Sequence, residues 1–277
     1  MIFVLRLVGL ILLGYLAVLA LMWAGQTRLV FLRPRATVPD PQRFGYPSGR
    51  RITAVTEDQV ELRGWFIPPG GSEPGPALIF FYGNGETVAT LASVIDQLRP
   101  PGMGFLVIDY RGYGQNGGRS SEAGLYRDAA AAWDAMVAQP EIDSSRIAVY
   151  GRSLGTAAAL SLALARPVAA VVLEAPFTNA KGLARAHYPF VPPFLIRLSL
   201  DNAHRAERLE APLLVIHGTR DEVVPFSMGE EIARLGRARE FAVIEGASHN
   251  DLHLVGGREV LTTIERFLKQ AGMADAR

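Results

Sequence analysis

Arg146-Ile147-Ala148-Val149-Tyr150-Gly151-Arg152-Ser153-Leu154-Gly155-Thr156, followed by Ala157 to Ala165, is a strand, a very tight turn and a helix in succession. Ile147 to Tyr150 form the short apolar run of a buried parallel strand. Thr156 to Ala165 contain only residues compatible with a helix and no glycine or proline. Between them Gly151-Arg152-Ser153-Leu154-Gly155 has the spacing G-x-S-x-G, a turn that strains its central residue and leaves no room for bulky neighbours on either side. The Ser153 hydroxyl then stands at a helix N-terminus, where free backbone N–H groups favour negative charge. An ordinary glycine-flanked turn is the plain alternative, and the strand-turn-helix context argues against it.

Outward from this unit the same pattern repeats. Ala77 to Phe81, Phe105 to Ile108, Ala169 to Leu173, Pro212 to Ile216 and Glu240 to Ile244 are strand-like runs. Helical segments are predicted at about 88–98, from Ser121 to Ala138, and at about 257–270. Two further runs, Ile52 to Glu57 and Val60 to Ile67, form a hairpin about Asp58-Gln59. Buried strands alternating with helices predict an α/β fold: a mostly parallel central sheet flanked by helices. Such sheets bind ligands beyond the carboxyl ends of their strands, where the unusual loops of this chain lie.

Ahead of this domain, Leu7 to Ala24 carry no charge, enough to cross a hydrocarbon core as one helix. Residues 1–26 are read as an uncleaved transmembrane anchor, with a signal peptide as the rival. Arg28, Arg33 and Arg35 outnumber Arg6 and the amino terminus, which favours the cytoplasmic side for the catalytic domain, but so small a count leaves the side open. Residues 27–50, with Pro34, Pro39, Pro41, Pro47 and Gly49, are expected to be a juxtamembrane linker. Residues 51–277 form the catalytic domain. The 277 residues carry a formal net charge of +1, and Lys181 and Lys269 are the only lysines among 28 basic residues, so nothing points to nucleic acid. With no cysteine there is neither a disulfide nor a thiolate nucleophile. No cofactor and no metal is expected.

A serine hydroxyl needs a base to act as a nucleophile near neutral pH. Of the five histidines, His217 ends a strand, His187 and His204 fall in an insertion, and His253 opens the last helix. His249, in Gly246-Ala247-Ser248-His249-Asn250-Asp251, lies beyond the last strand and is the favoured base. Asp221, after the strand 212–216, is the favoured acid to orient it, with Glu222 and Glu174 as competitors. The backbone N–H groups of Leu154 and Asn84 are the expected oxyanion donors, Gly83 and Gly85 letting the backbone come close.

Taken together, these residues resemble the α/β-hydrolase superfamily, and specifically its membrane-anchored α/β-hydrolase-domain branch, over nearly the whole chain. Gln26-Thr27-Arg28-Leu29-Val30-Phe31, Asp109-Tyr110-Arg111-Gly112-Tyr113-Gly114 and Ser248-His249-Asn250-Asp251 are similar to its marker stretches. The resemblance implies a serine hydrolase acting on acylglycerols, lysophospholipids, thioesters or other acyl compounds. Relatives usually carry histidine before the oxyanion glycine, where this chain has Tyr82. The insertion at about 177–205 includes Tyr188-Pro189-Phe190-Val191-Pro192-Pro193-Phe194 and is either a lid over the serine or packing at the sheet edge. As a lid it supplies Phe177, Phe190 and Phe194, with Tyr82, as candidate substrate contacts. A small acyl ester or a lipid is the expected substrate. A serine peptidase and a non-catalytic protein of the same fold are the other readings; dehalogenation is disfavoured because it needs a carboxylate at 153.

Overall fold

Residues 1–273 are described by a computed structural model. The first helix, α1 (Ile2–Val30), is continuous over the stretch expected to be an anchor and runs beyond it. Its side chains up to Val18 are exposed, and among the described residues it is the one helix long and apolar enough to span a membrane. Beyond it lies an eight-stranded sheet: β1 (Arg50–Val55), β2 (Glu61–Ile67), β3 (Gly75–Phe81), β4 (Gly104–Ile108), β5 (Ile142–Arg152), β6 (Ala170–Glu174), β7 (Leu213–Gly218) and β8 (Glu240–Ile244). The spatial order is β1-β2-β4-β3-β5-β6-β7-β8. The β1–β2 and β2–β4 pairs are antiparallel and all others parallel.

Every residue of β3, β4, β6 and β7 is buried, as expected for central strands covered on both faces, whereas the edge strand β1 alternates. The register aligns the strand exits. Phe81 pairs with Gly151, Arg152 with Glu174, Glu174 with Ile216, and Gly218 with Ile244. Loops leaving β3, β5, β6, β7 and β8 therefore emerge side by side at one rim.

The helices in chain order are α2 (Val88–Leu91), α3 (Glu122–Val137), α4 (Gly155–Ala165), α5 (Ala180–His187), α6 (Asn202–Glu207), α7 (Phe226–Leu235) and α8 (Leu252–Gln270). Ser121 caps α3 by accepting from the Gly124 N–H at 3.0 Å, where the sequence opens that helix. Three segments differ from expectation. The helix predicted at 88–98 is a single turn followed by a 3₁₀ turn at Ile95–Gln97; the β-branched Val88, Thr90, Val94 and Ile95 lose rotamer freedom in a continuous helix. The last helix begins at Leu252 rather than 257, with Gly257 (φ 51°, ψ −133°) breaking it after its first turn. Residues 31–50 are not a free linker: Phe31, Val38 and Tyr46 are buried in the domain core, and Trp65 donates to the Pro39 carbonyl at 2.8 Å.

Candidate active site

Ser153 sits between β5 and α4 with φ 50°, left-handed backbone for a residue that is not glycine. The turn can close this tightly because its flanks have no side chains. A Cβ on Gly151 would lie 2.6 Å from the Gly155 carbonyl oxygen, and one on Gly155 would collide with the Phe81 carbonyl. The strained residue is pinned on both sides: its N–H donates to the Glu174 carbonyl at 2.9 Å, and its carbonyl accepts from the Thr156 N–H at 3.0 Å and hydroxyl at 2.6 Å.

His249, in the loop after β8, places Nε2 3.1 Å from Ser153 Oγ and Nδ1 2.8 Å from Asp221 Oδ2. With Nδ1 donating to the carboxylate, Nε2 is left as the acceptor for the serine hydroxyl. The rest of Asp221 is equally occupied. Its Oδ1 accepts from the backbone N–H groups of Val223 (2.9 Å) and Val224 (2.6 Å), and Oδ2 lies 3.3 Å from His217 Nε2. Burial opposes ionisation here, but the bonds from His217 and His249 outweigh it and hold the carboxyl well below the usual carboxylate range. His217 Nε2 also lies 3.0 Å from the Val224 carbonyl, tying the Asp221 loop shut.

The competing carboxylates are elsewhere. Glu222 Oε2 accepts from the backbone N–H of His249 at 3.5 Å, whereas the ring bonds to Asp221. Glu174 is wholly buried beside Tyr150, and His253 Nε2 lies 2.9 Å from its Oε2. Burial would raise its carboxyl, yet His253 and Arg152 bring it down to about 2.

No protein acceptor among the described residues takes the N–H of Leu154 or of Asn84. The Asn84 side chain is used to fix its loop instead: Oδ1 accepts from the Leu32 N–H (3.0 Å) and the Tyr113 hydroxyl (2.8 Å). Gly83 N–H donates to Glu86 Oε2 at 2.7 Å, and Arg152 Nη1 donates to Glu86 Oε1 at 2.8 Å. Because Arg152 Nε also lies 3.1 Å from Glu174 Oε1, a partly buried charge chain joins the Asn84 loop to β6. Sequence reasoning missed Glu86 and Glu174 in this role. The available signal was Arg152 itself, an arginine inside a turn that is otherwise apolar and small.

Tyr82 is not a substrate contact. It is fully buried; its hydroxyl donates to Asp109 Oδ1 at 3.1 Å and accepts from the Tyr110 N–H at 3.0 Å, while Tyr110 donates to the Tyr82 carbonyl at 2.9 Å. The position where relatives carry histidine is therefore an internal clasp for the loop.

Asp109 is itself a buried acid. Oδ1 also accepts from the Val88 N–H at 2.7 Å, and Oδ2 is buried with no hydrogen-bond partner. Burial raises its carboxyl to about 6 despite these two donors. An unfolded aspartate titrates near 3.9, so the folded state holds a proton that the unfolded state has released, and the resulting stability disappears as pH rises through about 6. Asp109→Asn keeps an acceptor for Tyr82 and Val88 without the charge. Its melting temperature is expected to match the parent at pH 4 and to exceed it at pH 7.5, by up to ~3 kcal/mol of stability. A variant less stable than the parent at pH 7.5 would contradict this.

Above Ser153 lies a cavity of about 350 Å³, lined by Leu29, Val30, Phe177, His187, Leu200 and Val224 among others. Phe177 is part of this lining. Phe190 and Phe194 are not at this wall; they point outward, Phe194 being 82% exposed. The sequence reading also missed Leu29 and Val30, two residues of α1 that line the cavity.

Residues 72–201 match the family described as Serine aminopeptidase, S33. An uncharacterised protein of Mycobacterium tuberculosis (strain H37Rv) is 38% identical over 260 residues, 92% of each chain. Alpha/beta hydrolase domain-containing protein 17B of Xenopus laevis is 33% identical over 195 residues, 70% of this chain and 66% of that one. In architecture the chain is similar to the esterase Pf2001 of Pyrococcus furiosus, with a TM-score of 0.67 at 23% identity over 86% of this chain and 98% of that one. Sheet order, the strained serine turn and these relatives agree that the chain belongs to the α/β-hydrolase superfamily.

Proposed function

We propose that this protein is a membrane-anchored serine hydrolase that cleaves acyl esters or thioesters through an acyl-Ser153 intermediate. The observation that carries the reading is the unbroken run Ser153 Oγ, His249, Asp221, with separations of 3.1 and 2.8 Å, beside two uncommitted backbone N–H groups.

Ser153 Oγ attacks the acyl carbonyl carbon as its proton passes to His249 Nε2. Negative charge moves to the carbonyl oxygen, where the N–H groups of Leu154 and Asn84 receive it; each such donor is worth roughly 3 kcal/mol in the transition state. Asp221 stabilises the imidazolium and keeps its tautomer. The tetrahedral centre collapses, the bond to the leaving alcohol or thiol breaks, and His249 gives that group its proton. His249 then takes a proton from water, whose oxygen attacks the acyl carbon, and returns it to Ser153 Oγ as the acid departs.

The S33 match favours a peptidase as the second reading. A peptidase that grips a free amino terminus needs a carboxylate near the serine, and the cavity lining contains no aspartate or glutamate among the described residues. The apolar lining supports an acyl group instead. Retention of α1 is supported by its lower end being built into the domain: Leu29 and Val30 line the cavity, and Gln26 Nε2 donates to the Leu195 carbonyl at 2.6 Å.

The test is a panel of acyl esters of graded chain length against aminoacyl and peptide amides, with the full chain in detergent. Ester hydrolysis without amide hydrolysis is expected. Amidase activity alone would favour the peptidase reading, and no turnover of either class would remove both.

A further inference from the structure

α1 is longer than a membrane needs. Its 29 residues extend about 43 Å, against a hydrocarbon core of about 30 Å. Its C-terminal third does not hang free but is bound along one side by the insertion. The Arg197 N–H donates to Gln26 Oε1 at 2.7 Å, Arg197 Nη2 donates to the Trp23 carbonyl at 2.9 Å, and the guanidinium lies 4.5 Å from the centre of the Trp23 ring. Further toward the N-terminus, Tyr15 donates its hydroxyl to the Phe190 carbonyl at 2.7 Å. The segment 190–197 therefore runs parallel to α1, from the level of Tyr15 to that of Gln26, a rise of about 16 Å.

Tyr15 lies inside the uncharged stretch Leu7 to Ala24, so any span of about twenty residues drawn on α1 includes it. The Phe190 backbone is thus carried to the depth of the acyl chains, where a carbonyl without a partner costs several kcal/mol, and Tyr15 is its partner. Phe190 and Phe194, 50% and 82% exposed, face outward beside the helix. In water they would be a bare aromatic patch; beside a membrane anchor they belong in the leaflet.

Between α1 and this segment is a slot of about 80 Å³, bounded by Leu19, Met22, Trp23, Val191 and Leu195. Leu29, Val30, Ala180, Ala184 and Tyr188 line both the slot and the Ser153 cavity. One apolar wall therefore leads from the depth of the leaflet to the serine. Its polar member, Gln26, has both ends of its amide committed to the insertion.

We infer that the seam between α1 and residues 188–196 is an acyl-chain site, through which the chain of an ester resident in the leaflet reaches Ser153 sideways from the bilayer. This rests on the serine hydrolase reading. The anchor then does more than hold the enzyme near its substrate: its Leu19, Met22, Leu29 and Val30 are one wall of the binding site.

The experiment uses the full chain in phosphatidylcholine vesicles, with a palmitoyl ester embedded in the same vesicles and an acetyl ester of the same alcohol dissolved in water. Met22→Trp, which fills the slot, is expected to lower the ratio of palmitoyl to acetyl kcat/KM by about tenfold or more. Phe194→Trp, an exposed position where folding is not at stake, is expected to add fluorescence that brominated phosphatidylcholine quenches. A wild-type enzyme that hydrolyses neither ester would overturn the hydrolase reading. Acetyl hydrolysis with an unchanged ratio in Met22→Trp, or no quenching of the added tryptophan, would overturn the seam alone.

Discussion

Ser153→Ala is expected to lower kcat by roughly a millionfold on any ester the wild type turns over, the loss seen when a hydroxyl nucleophile is removed from a serine–histidine–aspartate set. What remains is the contribution of the proposed oxyanion donors, the Leu154 and Asn84 N–H groups, and of the cavity. The fold should be untouched, because alanine meets the same left-handed strain at φ 50° that serine does and the hydrogen bonds pinning this turn come from the backbone and Thr156. Glycine meets no such strain. Ser153→Gly should therefore be equally inactive yet more stable than the wild type, by about 1 kcal/mol. Thermal melts of the three proteins check the strain, and kcat checks the chemistry. A Ser153→Gly protein that melts lower than the alanine variant would show that the turn is not strained.

The second large effect is on Asp221. Its two oxygens face donors only: the Val223 and Val224 N–H groups on Oδ1, and His249 Nδ1 with His217 Nε2 on Oδ2. An amide cannot serve such a set, since one of its ends is a donor. Asp221→Asn is expected to drive His249 toward the other tautomer, with Nε2 protonated and unable to accept from Ser153, and to lower kcat about ten-thousandfold. It should also cost about 1–3 kcal/mol of stability, because the new amide NH2 faces the His217 Nε2–H, a donor that loses its acceptor. Measured kcat and melting temperature should fall together. Undiminished kcat would mean that Glu222, the nearest other carboxylate in sequence, orients the base.

The chain states some of this plainly and hides the rest for definite reasons. Gly151 and Gly155 are forced by contacts within a few residues, so the turn at Ser153 could be read locally. The strands β3, β4, β6 and β7 announce themselves because burial on both faces demands unbroken apolar runs. Tyr82 misled because an aromatic residue beside an oxyanion loop can face either way, and the direction is set by Asp109, a partner reached only through the β3–β4 pairing. Leu29 and Val30 were hidden by continuity: nothing in an apolar helix marks the point where it stops facing lipid and starts facing a cavity. Phe190 and Phe194 were rightly placed in the insertion and wrongly aimed inward, since a proline-stiffened segment has no periodicity to tell its faces apart. The chain Glu86, Arg152, Glu174 joins three separate strand exits, and only the sheet order brings it together.

The most direct measurement of the central claim is mass spectrometry of the full-length protein after treatment with a fluorophosphonate, which stands in for the acyl group and is trapped on an activated serine. The account predicts one adduct per chain, mapped to the peptide carrying Ser153, lost in Ser153→Ala and slowed in His249→Ala. An adduct on another serine, or no adduct from an enzyme that still hydrolyses esters, would contradict it.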